Sequence, residues 1–273
     1  MVETGQKQAN PSEQISSLLT PDWVLIGASV QGSSHLLEGV SCQDRQAFRL
    51  SNECLLVTVA DGLGTAAQAH EGAQLAVQAV IDCAEGLLSM GPADNESGWQ
   101  DVLKASFTTA RAKLYEEATR QNCDLNDFAT TLIFAIISNN WLAAANIGDG
   151  AVVLLDEDDT FSTVCTPQNG EYANETFSIT QGDALEKIAY QILPVKVKNL
   201  ALLSDGLQRI AIHQIDASPH TPFFAPLFKQ LLSITNASQA ARSLANFLTS
   251  EKVRKLSGDD KTLLLIARKQ AVS

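Results

Sequence analysis

Three apolar, β-branched runs in this chain stop at an Asp-Gly pair: Leu55 to Ala60 before Asp61-Gly62, Trp141 to Ile147 before Gly148-Asp149-Gly150, and Leu200 to Ser204 before Asp205-Gly206. Runs of this kind read as buried strands, so each carboxylate is expected at a strand mouth, held by a rigid sheet. The glycine that follows lets the backbone turn sharply and leaves its carbonyl accessible. Asp-Gly is also a favoured hairpin turn. Helix-like sequence follows Asp61 and Asp205, which weakens the hairpin reading there. At Asp149 another strand-like run follows, and the hairpin reading stands.

The rest of the chain supplies the layers around these strands. Residues 23–30 and 43–50 read as strands joined by a Gly- and Ser-rich loop. Ala66, Ala69, Ala73, Val77, Val80, Ala84 and Leu88 recur at spacings of three and four, predicting a long amphipathic helix, and a second helix is expected over residues 100–120. Residues 129–138, 141–147 and 151–156 read as a three-strand antiparallel meander, with a further strand over 161–166. Residues 167–198 are polar and irregular and are expected to form a flap. Helices over 222–233 and 238–249 and a strand over 261–268 complete the chain. Strands and helices come in blocks rather than in βαβ alternation, so the expected class is α+β, with helices covering the outer faces of paired antiparallel sheets. One domain is expected over residues 21–270, preceded by a loose polar arm over 1–20.

Composition bounds the chemistry. With 45% hydrophobic residues among 273, the chain can fill a sizeable core. It has no run of about 18 apolar residues and no apolar centre near its start, so a soluble, cytoplasmic protein is expected. Its five cysteines are odd in number and widely spaced, which suggests reduced thiols. A net charge of -12 argues against nucleic acid or an anionic membrane as partner, because phosphate backbones require a cationic surface. An acidic protein that handles phosphates must recruit cations of its own.

Asp44, Asp61, Asp149, Asp205 and Asp259 each fall at the start or end of an expected strand. If those ends converge, like charges repel and raise one another's pKa unless a cation intervenes. Hard divalent ions such as Mg²⁺ or Mn²⁺ suit such an oxygen-only set. The four histidines form no zinc spacing, and neither a phosphate-binding Gly-rich loop ending in Lys-Ser/Thr nor Gly-x-Ser-x-Gly is present.

The ordered series Cys42-Gln43-Asp44, Ala60-Asp61-Gly62-x-Gly64, Ala129-Thr130-Thr131-Leu132, Asn146-Ile147-Gly148-Asp149, Ser204-Asp205-Gly206 and Asp259-Asp260-Lys261-Thr262 resembles the metal-dependent serine/threonine protein phosphatases of type 2C, in their bacterial form. The resemblance spans residues 23–268. It implies a four-layer αββα sandwich with two central antiparallel β-sheets, and hydrolysis of phosphoserine or phosphothreonine in phosphoproteins by a metal-activated water. It also implies two Mg²⁺ or Mn²⁺ ions: Asp61 bridges them, the Gly62 carbonyl and Gln43 serve one, Asp205 and Asp259 the other, and Asp149 with Asp205 offers a place for a third. On this basis Asp44, Asp61, Asp205 and Asp259 are the candidate catalytic residues. The expected partner is a phosphoprotein made by an opposing serine/threonine kinase, and the expected state is a monomer.

Three departures stand out. Gln43 replaces the family's glutamate and carries no charge. Gly39 stands where many members place a phosphate-gripping arginine, leaving His35 or Arg45 as candidate replacements. Leu63 occupies the position of a histidine found in animal members, so no general acid is assigned. These departures motivate a second reading, a weakly active or inactive regulatory module that binds phosphoproteins. A third is a structural protein whose Asp-Gly pairs only turn hairpins.

Overall fold

The computed structural model describes residues 3–9, 13–168 and 176–269, the first stretch by its backbone alone. The elements run β1 (Glu3–Ala9), β2 (Glu13–Leu19), β3 (Trp23–Val30), α1 (Ser33–Glu38), β4 (Asp44–Ser51), β5 (Cys54–Asp61), α2 (Ala69–Leu87) and α3 (Glu96–Gln121). They continue with β6 (Leu132–Ile137), β7 (Leu142–Ile147), β8 (Ala151–Asp156), β9 (Phe161–Cys165), α4 (Ala184–Lys187), β10 (Ala189–Leu193) and β11 (Val197–Leu203). Helices α5 (Gln208–Ala211), α6 (Thr221–Leu231), α7 (Ala237–Leu248) and α8 (Glu251–Arg254) precede the last strand, β12 (Lys261–Arg268).

Among the described residues the strands form two antiparallel sheets, ordered β1-β2-β3-β12-β11-β8-β9 and β10-β7-β6-β5-β4. Alternate side chains of each strand face opposite sides, so each sheet feeds two cores. Leu55, Val57 and Val59 of β5 meet Leu200, Leu202 and Leu264 between the sheets. Leu56 and Ala60 of the same strand turn outward against α2 and α3, where Ala73, Ala76, Val80 and Ala84 allow close helix approach and Trp99 and Phe107 fill the remaining space. On the opposite outer face Phe224, Phe228, Ala241 and Leu244 of α6 and α7 cover β3 and β12. The result is the expected αββα sandwich. No helix among the described residues is long and apolar enough to cross a membrane.

Four local expectations need correction. Residues 13–19 are not an arm: they form β2, paired along β3, with Ser16 and Ser17 buried. The meander breaks at Asp149, because β7 and β8 lie in different sheets. The Gly148-Asp149-Gly150 segment is therefore a crossover, and Gly148 makes it with φ +109 in a place where a Cβ would sit 2.5 Å from Thr131. Within the expected flap, Ala189–Leu193 is an edge strand on β7, and residues 169–175 lie outside the described residues. The loop before β4 contains helix α1, closed by Gly39 at φ 71.

Candidate active site

The crossover at Asp149 and the ends of β5 and β11 meet the starts of β4 and β12 at one end of the sandwich. A cavity of about 300 Å³ opens there, lined by Asp61, Asp149, Asp205 and Asp259 with Gln43, Glu38 and His35. Gly62 and Leu63 border it.

Asp61 is fixed through its backbone. Its N–H donates to Thr131 Oγ1 at 3.0 Å, and its carbonyl accepts from Thr131 N–H at 2.8 Å and Thr130 Oγ1 at 2.9 Å. The Thr130-Thr131 pair thus clamps the end of β5. Gly62 follows because α2 begins directly against it: a Cβ there would stand 2.5 Å from the Ala69 carbonyl oxygen.

Asp44 pairs with Asp61 across β4 and β5, yet it lies beneath the cavity and does not line it. Its Oδ2 accepts hydrogen bonds from Ser204 Oγ at 2.7 Å and Thr262 Oγ1 at 2.8 Å, while Oδ1 is buried without a partner. Burial above all, with the nearby Asp260 carboxylate, pushes its pKa up to about 8. Asp44 therefore braces β4, β11 and β12 together; its candidacy as a residue touching substrate is corrected by this position.

Three of the lining carboxylates, Asp61, Asp149 and Asp205, are shifted in the same direction. Burial, then Asp44 and Asp205, holds Asp61 well above the usual carboxylate range. Asp205 is raised to about 6 by burial and by Asp149. Asp149 is raised by burial and partly relieved by a 2.6 Å hydrogen bond donated by Thr176 Oγ1. Asp205 Oδ1 and Gln43 Oε1 are buried acceptors without donors. Unsatisfied oxygens beside carboxylates that resist ionisation fit a divalent cation, which removes both penalties at once. Among the described residues no three His, Cys, Asp or Glu side chains stand at metal-ligand spacing.

Asp260, which sequence reading did not single out, organises the loops. Its Oδ1 accepts from Gly32 N–H and its Oδ2 from Gln43 N–H, each at 2.6 Å, and His35 Nδ1 stands 2.9 Å from Oδ2. The carboxylate thus ties α1, the start of β4 and the Asp259 turn into one unit. The sequence signal was the second acid of Asp259-Asp260, visible but indistinguishable from a solvated residue. The adjacent Lys261 is buried and donates to the Asp259 carbonyl at 2.5 Å.

The two candidate phosphate grips separate. His35 lines the cavity. Arg45 does not: it follows Asp44 on β4 and so faces the opposite side of the sheet. Its guanidinium donates to the Cys42 carbonyl at 3.2 Å and also meets the Asp44 carbonyl and His70. Arg45 is a buried structural cation, and among the described residues neither lysine nor arginine lines the cavity.

The profile of the family described as protein phosphatase 2C matches residues 31–249. The chain belongs to the protein phosphatase 2C family. Serine/threonine-protein phosphatase 3 of Escherichia coli (strain K12) is 36% identical over 251 residues, covering 89% of this chain and 97% of that relative. Among solved structures, this family member resembles the catalytic domain of the serine threonine protein phosphatase PstP in complex with two manganese ions, with TM-score 0.56 and 16% identity over 91% of this chain and 99% of that one. The S. agalactiae serine/threonine phosphatase gives TM-score 0.59 at 14% identity, over 90% and 99% of the two chains. RsbX in complex with magnesium gives 0.55 at 13%, over 93% and 100%. At these identities the structural likeness supports the shared sandwich, while family membership rests on the sequence matches.

Proposed function

We propose that the protein is a metal-dependent serine/threonine protein phosphatase that hydrolyses phosphoserine and phosphothreonine in phosphoproteins. The observation that carries this reading is the convergence of Asp61, Asp149, Asp205 and Asp259 on one cavity in which two buried oxygens, Asp205 Oδ1 and Gln43 Oε1, lack donors. Asp61, Asp205, Asp259, Gln43 and the Gly62 carbonyl are the residues that would hold two Mg²⁺ or Mn²⁺ ions, and Asp149 with Asp205 is a place for a third. Such ions, when bound, supply charge neutralisation for a phosphoryl group and make water a competent nucleophile at neutral pH.

The chain's own residues set the geometry. The Thr130-Thr131 clamp keeps Asp61 central, Asp260 holds the Gln43 and His35 side of the cavity, and Asp44 fixes the floor. His35 is the protein group placed to meet a phosphoryl oxygen or a leaving-group oxygen, since it is the one basic side chain lining the described cavity. Related phosphatases act on serine and threonine phosphates, and by that kinship the substrate is a phosphoprotein produced by an opposing kinase. The unpaired cysteines are compatible with a reducing, cytoplasmic setting, and the single sandwich domain takes in β2 at residues 13–19.

Phosphate release from a phosphothreonine peptide, measured with Mn²⁺, with Mg²⁺ and with chelator, tests the reading. Turnover with either ion and loss in chelator is expected. Metal binding without turnover would favour the regulatory module, and full turnover in chelator would overturn the metal-dependent account.

A further inference from the structure

A second concavity, of about 480 Å³, is lined by elements that adjoin the Asp205 and Asp259 turns in the chain. Helix α5 follows the Asp205 turn directly and carries Arg209; α8 leads into the Asp259 turn and carries Lys252. Phe223, Phe247 and Leu256 line the groove together with these two cations, as do His213 and His220, whose ring nitrogens stand 3.4 Å apart. No carboxylate lines the groove. The nearest acid flanking His213, Asp216, accepts from Ser218 Oγ at 2.7 Å and Ser218 N–H at 3.0 Å, and Glu251 pairs with Lys255. Neither Arg209 nor Lys252 has an ion-pair partner among the described residues.

A cationic groove is unexpected on a chain of net charge -12. Some exposed lysines elsewhere are held in local pairs such as Lys113–Glu116 and Lys187–Asp183. Here two cations flank exposed aromatic and aliphatic surface, with Phe247 37% and Leu256 46% exposed. Apolar surface rimmed by one sign of charge marks an interaction site for a ligand of the opposite sign. A phosphoprotein segment supplies that charge.

We propose that this groove docks a segment of the phosphoprotein substrate in which acidic side chains flank an apolar one. The inference rests on the phosphatase reading above. Arg209 lies about one helical turn beyond Asp205, roughly 6–10 Å along the chain, and an extended peptide advances about 3.4 Å per residue, so the docked acid stands about three positions from the phosphorylated residue. Arg209 and Lys252 take its carboxylates; Phe223 and Phe247 take the apolar side chain between them. The groove thus offers two cations without ion-pair partners among the described residues, on the elements that adjoin the Asp205 and Asp259 turns.

The test compares the full chain with the double variant Arg209→Glu/Lys252→Glu in saturating Mn²⁺. Three substrates are used: a small aryl phosphate, a phosphothreonine peptide with Asp-Leu-Asp centred about three positions to either side, and the same peptide with Lys-Leu-Lys. The wild type is expected to prefer the acidic peptide through KM, and the variant to lose about tenfold in kcat/KM on it. Aryl phosphate hydrolysis should stay within twofold, because neither residue touches the cavity. The milder pair Arg209→Ala/Lys252→Ala should show the same order if charge reversal impairs folding. Equal KM values for the two peptides, or an equal loss on aryl phosphate and peptide, would overturn the groove. Absence of wild-type activity on all three substrates would overturn the phosphatase reading instead.

Discussion

Asp44 and Asp61 are partners across the β4–β5 register, so their side chains leave the same face of one sheet, yet Asp44 is wholly buried under the cavity that Asp61 lines. Two carboxylates this close in a sheet floor cannot both ionise cheaply. The protein therefore carries stored repulsion that protons or cations relieve.

That repulsion has a definite pH signature. Asp44 and Asp205 have folded pKa values raised to about 8 and about 6, above the unfolded carboxylate value of about 4. Between these limits the folded chain holds more protons than the unfolded one, so their contribution to stability is present at low pH and is lost as pH rises through the folded values. In metal-free protein the Asp44→Asn variant should match the wild type in Tm near pH 5 and exceed it by pH 9. A Tm difference that is constant or shrinks over this range would show that Asp44 is not held neutral.

A second prediction concerns close backbone packing behind Asp205. A Cβ on Gly206 would stand 1.9 Å from the Asp260 carbonyl oxygen. Gly206→Ala should destabilise by about 1–3 kcal/mol through forced backbone shift and displace Asp205 with loss of activity. Gly86 near the end of α2 has nothing within 4 Å, and Gly86→Ala should stabilise by about 0.5–1 kcal/mol from helix propensity. Chemical denaturation of both variants checks the contrast.

Much of this arrangement was legible in the chain. Asp61 and Asp205 announce themselves because an apolar run stops at a carboxylate and glycine, and the spacing of small residues in α2 predicts close packing on the sheet. What failed has physical reasons. β2 contains buried Ser16 and Ser17, whose polarity reads as exposure although the two small hydroxyl side chains are accommodated on opposite faces of the sheet. The crossover at Asp149 uses the same Gly and Asp residues as a hairpin, and only tertiary pairing distinguishes them. Arg45 looked like a phosphate grip because strand phase at its entry could not be fixed from polar residues. Asp260 was passed over because its value lies in two backbone amides far away in sequence, Gly32 and Gln43.

Gln43 offers a third prediction. Its buried Oε1 has no donor and lies where a carboxylate would add charge. One extra negative charge near a divalent ion strengthens binding. Gln43→Glu should lower the Mn²⁺ concentration for half-maximal aryl phosphate hydrolysis several-fold. Asp149→Asn should shift that midpoint much less, because on the proposed reading Asp149 would serve a third ion. The opposite ranking would mean that Gln43 and Asp149 have been assigned to the wrong ions.

The central claim is that the carboxylates meeting at the end of the sandwich hold the ions that make this chain a phosphatase. Calorimetric Mn²⁺ titration of wild type, Asp61→Asn and Asp205→Asn, run beside aryl phosphate hydrolysis on the same samples, addresses it. Both variants should remain folded, bind Mn²⁺ at least tenfold more weakly, and lose about a hundredfold or more in turnover, since even indirect supports of a metal site cost 10- to 100-fold. Folded variants with wild-type Mn²⁺ affinity and turnover would contradict it.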